Sequence, residues 1–99
     1  MNNGELDRAI AHFDRTIQLK PDYVAAFYNR AVAFGRKGFF ERSIADYDVI
    51  IHNDPKNSVI FHERGTIKAK MGDQTGADAD FRRADSIDPG GPRASVGPK

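Results

Sequence analysis

Apolar side chains along this chain recur three and four residues apart. Ile10, Phe13 and Ile17 fall on one face at that spacing, as do Phe27, Ala31 and Phe34, and again Ile44, Tyr47 and Ile51. A spacing close to the turn of an α-helix gathers such residues into one stripe, so each stretch predicts an amphipathic helix. Five helices are expected, over residues 5–19, 22–37, 39–53, 58–71 and 73–87. No segment competes with the strict alternation that marks a strand. The fold class is all-α.

The breaks between these helices are themselves periodic. Pro21, Pro55 and Pro89 stand 34 residues apart, and Gly4, Gly38 and Gly72 keep the same interval. The side chains between them also correspond. Ala9, Ser43 and Ala77 are small, Ala11, Ala45 and Ala79 are identical, and Phe13, Tyr47 and Phe81 are aromatic. Phe27 with Phe61, Arg30 with Arg64, and Ala31 with Gly65 are in register too. Glycine ends a helix because it accepts left-handed backbone at little cost. Proline ends one because it has no N–H for the ladder and pushes its predecessor out of the helical region. One stop of each kind per period divides the chain into stacked helical hairpins.

Helix, glycine turn, helix, proline turn every 34 residues resembles the tetratricopeptide repeat family over residues 1–89. Gly38, Tyr47 and Pro55 sit where the family's signature expects them. The resemblance implies an α-α superhelix, or solenoid, of antiparallel helix hairpins with about two and a half repeats. Residues 1–23 would be the second helix of a partial repeat, and 24–57 and 58–89 two full repeats. Residues 90–99, rich in Gly and Pro, would be a disordered tail. Arg30 and Arg64 depart from the family's usual Leu, and Lys68 and Gln74 stand where Phe34 and Phe40 stand one repeat earlier. The last repeat is therefore expected to pack less tightly.

The family resemblance implies an interaction scaffold rather than an enzyme: the first helix of each repeat lines a concave groove that receives a peptide segment of another protein. In this chain that stripe is Ala25, Tyr28, Asn29, Val32 and Arg36, followed by Val59, His62, Glu63, Thr66 and Lys70. It lies away from Phe27, Ala31 and Phe34, and it mixes aromatic, amide and charged groups where a merely solvated face would be more uniformly charged. Some family members hold acidic chaperone tails in a clamp of Lys, Asn and Arg. Asn29 fits one clamp column, but Val59 and Glu63 occupy two others, so that ligand is not expected.

Both ends of the array should be adhesive. The first helix lacks a hairpin partner, which leaves Leu6, Ile10 and Phe13 to face water or another molecule, and Phe81, Ala84 and Ile87 have no following helix to cover them. A homodimer is expected from these faces. The second functional reading follows from it: a structural self-assembly module that oligomerises through uncapped solenoid ends.

Composition narrows the remaining choices. Fifteen Lys and Arg against 14 Asp and Glu leave no basic stripe for nucleic acid. The absence of Cys removes disulfides, thiolate zinc sites and thiol catalysis. His12, His52 and His62 fall on three different helices without metal-ligand spacing, so no metal is expected. Asp78, Asp80, Asp85 and Asp88 read as a solvated helix face. Ser43 with Asp46, and Thr75 with Asp78, have capping-box spacing but lie inside predicted helices. The longest apolar run, residues 23–28, is far too short to cross a bilayer, and residues 1–7 lack the features of a secretory signal, so a cytoplasmic location is expected. No nucleophile has a base and orienter beside it, and no cofactor is implied.

Overall fold

The computed structural model describes residues 3–90 and contains five α-helices, α1 (Asn3–Leu19), α2 (Val24–Lys37), α3 (Phe40–Asn53), α4 (Ser58–Lys70) and α5 (Gln74–Ile87). Each packs chiefly on its neighbours in sequence, α1 on α2, α2 on α3, α3 on α4 and α4 on α5. Serial contact of this kind makes an elongated solenoid rather than a bundle. The extents of 43 × 26 × 22 Å agree, as does a radius of gyration of 14.0 Å. A compact globule of this length would have a radius of gyration of roughly 12–13 Å. The proposed tail, apart from Gly90, lies outside the described residues.

Two glycines perform the turn that the period requires. Gly38 and Gly72 hold φ of +84° and +90°, and no other described residue has positive φ. At each, the next N–H reaches back across the turn: Phe39 donates to the Phe34 carbonyl at 2.9 Å, and Asp73 donates to that of Lys68 at 2.8 Å. These bonds satisfy carbonyls that the end of a helix would leave unpaired. Gly4 does not share this role. It lies in the first turn of α1 without positive φ, so the third member of the glycine series is helical. At the other kind of stop, Asp54 and Asp88 leave the helical region before Pro55 and Pro89, with φ of −142° and −141°. Asn57 and Asp73 accept N–H bonds from Ile60 and Gly76 and so cap α4 and α5.

The core is a thin seam between helices. Ala31, Tyr47, Ile50, Ile60 and Ile67 are buried together, with Phe27, Tyr28, Phe40, Ile44 and Ile51 packed around them. Ser43 is fully buried and donates from its hydroxyl to the Ala31 carbonyl at 2.7 Å, tying α3 to α2. The expectation of a looser last repeat is not met: α4 and α5 share the most extensive helix contact. The reason is Gly65. A Cβ there would come within 2.8 Å of the Phe81 ring and 3.2 Å of the Ala77 carbonyl oxygen, so the missing side chain lets α5 approach closely.

Candidate functional site

The two arginines that depart from the family pattern are the best-held polar groups in the structure. The guanidinium of Arg30, on α2, donates to both carboxylate oxygens of Asp46 on α3, at 2.9 and 2.7 Å, and to Asp14 on α1 at 2.8 Å. One repeat later, Arg64 on α4 donates to both oxygens of Asp80 on α5 and to Asp48 on α3, all at 2.8 Å. Each arginine reaches 16 residues forward and 16 back, joining three helices. The carboxylates hold both guanidinium pKa values above the usual arginine range, Asp46 and Asp80 contributing most. Asp80 is therefore not part of a solvated face: it is 4% exposed and also takes Lys68 at 3.2 Å. Lys68, which stands in the column of Phe34, adds charge where that repeat adds a ring. Capping-box spacing likewise hid a structural role for Ser43 and Asp46.

The expected groove residues fall on α2 and α4 with unequal freedom. Ala25, Asn29, Arg36, Val59 and Lys70 are exposed, whereas Tyr28, Val32, His62, Glu63 and Thr66 are half-buried. The Tyr28 ring meets Tyr47 edge-on at 6.2 Å, and His62 lies 5.4 Å from Phe81, so both also finish the core. Burial, then the Glu63 carboxylate, raises the Tyr28 phenol above its ordinary pKa. α2 and α4 carry these stripes without extensive contact between the two helices, each packing chiefly on its neighbours in sequence. Thr66 donates to the His62 carbonyl within its own helix, leaving only acceptor capacity for a ligand.

Part of this stripe merges with the expected adhesive end. A hollow of about 360 Å³ between α1 and α2 is lined by Leu6, Ala9 and Phe13 on one side and Tyr28, Asn29, Val32, Ala33 and Arg36 on the other. Leu6 and Ala84 do not face water as the open-end reading required: they are 3% exposed. Adjacent helices already cover these inner positions, so only outer residues remain available. Ile10, Phe13, Phe81 and Ile87 are half-buried. Among the described residues no acidic, histidine or cysteine cluster is arranged for a metal, and no helix is long and apolar enough to cross a membrane.

Comparison with known proteins agrees with this architecture. Residues 1–38 match a family model described as "TPR repeat", and residues 59–90 one described as "Tetratricopeptide repeat". Human tetratricopeptide repeat protein 13 is 30% identical over 94 residues, 90% of this chain and 11% of that protein. Tetratricopeptide repeat domain-containing protein PYG7, chloroplastic, from Arabidopsis thaliana is 28% identical over 71 residues, 72% of this chain and 24% of that protein. The chain thus spans a small part of either relative. Among solved structures, YrrB, a TPR protein with an unusual peptide-binding site, superposes with a TM-score of 0.82 at 16% identity, covering 88% of this chain and 45% of that one. The first TPR of Spaghetti (RPAP3), bound to the HSP90 peptide SRMEEVD, gives 0.82 at 21% identity, covering 93% and 73%. At these identities the likeness is one of fold.

Proposed function

Because the chain belongs to the tetratricopeptide repeat family, we propose that it is a protein-interaction module that holds a peptide segment of a partner on the side formed by α2 and α4. The observation that carries this reading is the mixed aromatic, amide and charged character of the stripes on α2 and α4. Asn29 and Arg36 on α2, and Glu63 and Lys70 on α4, offer amide, guanidinium, carboxylate and ammonium groups beside the rings of Tyr28 and His62. Aromatic edges supply contact area at low entropic cost, while polar groups of both signs select register along an extended backbone. Solved relatives in fold that bind peptides lend it further support.

Glu63 argues for a ligand that is not uniformly acidic. A carboxylate on this stripe repels a second carboxylate and favours a segment with a donor at that point. Nothing in the arrangement performs chemistry on the bound segment, so the proposed role is retention.

The test is capture of a partner by the Glu63→Ala/Lys70→Ala variant beside wild type, with circular dichroism as the check on folding. Loss of two charged contacts should cut retention by about tenfold or more. Unchanged retention would overturn the reading. Loss confined to an Ile10→Glu/Ile87→Glu variant would favour assembly through the ends instead.

A further inference from the structure

Arg30 and Phe34 stand two residues along α2 from Tyr28 and Val32, about 200° round the helix, so they face away from the polar stripe. A second hollow opens on that side. Asp14 of α1, Arg30 and Phe34 of α2, and Arg42, Ala45 and Asp46 of α3 line it, and its volume is about 310 Å³. Ligand pockets run from roughly 300 to 1,000 Å³, so this one receives a single side chain rather than a folded segment. Its walls belong to three consecutive helices. Further repeats at either end of a solenoid lengthen the stack and do not enter a space that its own helices already enclose.

The charges in this hollow are unequally partnered. Asp14 and Asp46 both accept from Arg30. Arg42 has no carboxylate partner among the described residues. Its guanidinium lies instead 5.8 Å from the centre of the Phe34 ring and 5.4 Å from that of Phe39. A guanidinium held against rings keeps its N–H groups available at its edge. Lys37 shares the Phe39 ring but is paired with Asp7. Arg42 also stands in the first turn of α3, where the positive end of the helix disfavours a cation and favours an anion nearby. Helix stability therefore does not account for its presence.

The 34-residue period supplies an internal control. One module later, Asp48, Arg64 and Asp80 rebuild the same arginine clamp, but Lys68 and Gly76 replace Phe34 and Arg42. The extra cation there, Lys68, is bound to Asp80 at 3.2 Å. The clamp is thus common to both modules, whereas the ring-held, unpaired guanidinium belongs to the first.

Chemistry selects the occupant. A cation would be repelled by Arg30 and Arg42. An apolar side chain would cover Phe34 and Ala45 but leave the Arg42 N–H groups without an acceptor. A carboxylate on a short aliphatic stem satisfies both. Residues 1–2 and 91–99 contain no Asp or Glu, so neither segment carries such a side chain.

We infer that the hollow between α1 and α3 is a seat for one glutamate side chain of a partner protein, its carboxylate on the Arg42 guanidinium and its methylenes on Phe34 and Ala45. This contact is separate from the stripe on α2 and α4 and adds a point of attachment on the other side of α2.

The probes are capped tripeptides, acetyl-Leu-Glu-Leu-amide and its Gln and Lys counterparts, titrated into the isotope-labelled full chain and followed by heteronuclear NMR. The Glu peptide should bind about three- to tenfold more tightly than the Gln peptide and shift the Ala45 amide and the side-chain N–H signals of Arg42. Arg42→Gln should remove that preference with the helical dichroism intact, while Arg36→Gln, on the stripe, should leave it in place. Equal binding of the Glu and Gln peptides, tighter binding of the Lys peptide, or a preference that survives Arg42→Gln overturns the inference. So does an absence of binding at millimolar concentration. Acetate that matches the Glu peptide in affinity overturns it too, because the site would then take any small anion. Loss of retention in the Glu63→Ala/Lys70→Ala variant is read separately, since neither residue lines this hollow.

Discussion

Arg30 shows how much a single side chain holds. Its carboxylate partners differ sharply in exposure, with the Asp46 side chain at 5% and that of Asp14 at 49%. Removing the arginine strands a buried carboxylate, so Arg30→Leu should lower the free energy of unfolding by about 3 kcal/mol. Asp14→Ala should cost less than about 1 kcal/mol, because a half-exposed pair is screened by solvent. Urea titration checks both, and the Arg30→Leu/Asp46→Leu double variant should recover most of the larger loss. A double variant no better than the single would show that the pair contributes packing rather than charge. Tyr47 is 1% exposed, and burial, followed by the charge of Glu63, raises its phenol above the ordinary value of 10. A raised phenol pKa means that the folded state keeps the proton more tightly than the unfolded one. The stabilisation is complete below pH 10 and is lost as pH climbs toward the folded-state value. Thermal melts should therefore fall above about pH 10, and Tyr47→Phe should flatten that fall.

At the scale of elements, the two full hairpins solve the same packing problem differently. α2 brings Ala31 to α3, whereas α4 brings Gly65 to α5 and lets Phe81 fill the space of the missing methyl. Alanine favours a helix interior by about 1 kcal/mol over glycine. Crowding against Phe81 and the Ala77 carbonyl costs about 1–3 kcal/mol and outweighs that gain. Gly65→Ala should thus destabilise the chain, measured as a lower midpoint in denaturant. A rise in the midpoint would mean that the α4–α5 interface yields without cost. The glycine and proline stops were legible at this scale because each acts through its own backbone. Gly4 differs from Gly38 and Gly72 in being helical, within the first turn of α1.

For the whole molecule, serial contact sets the distribution of stability. Each internal helix is supported from both sides, while α1 and α5 are each supported chiefly from one. In a solenoid such ends open first. Amide exchange followed by mass spectrometry should find α3 the most protected segment and α1 and α5 the least, with α5 slower than α1 on account of its closer packing. Uniform protection along the chain would instead indicate one cooperative unit.

What the sequence determined by itself was the number of helices, their limits and their period, since helical spacing, glycine and proline act within a few residues of where they stand. The stripe on α2 and α4 was also readable, because one helix face is a matter of angle along the chain. Only the tertiary structure decided that Arg30 and Arg64 are clamps, that Asp80 is buried, and that Leu6 and Ala84 are covered. It also decided that residues assigned to a groove and to an adhesive end, Tyr28 and Phe13 among them, line one hollow. Those outcomes depend on which helices come to lie side by side, and on how closely. That distance is set by packing between faces such as Gly65 and Phe81, which no local pattern records.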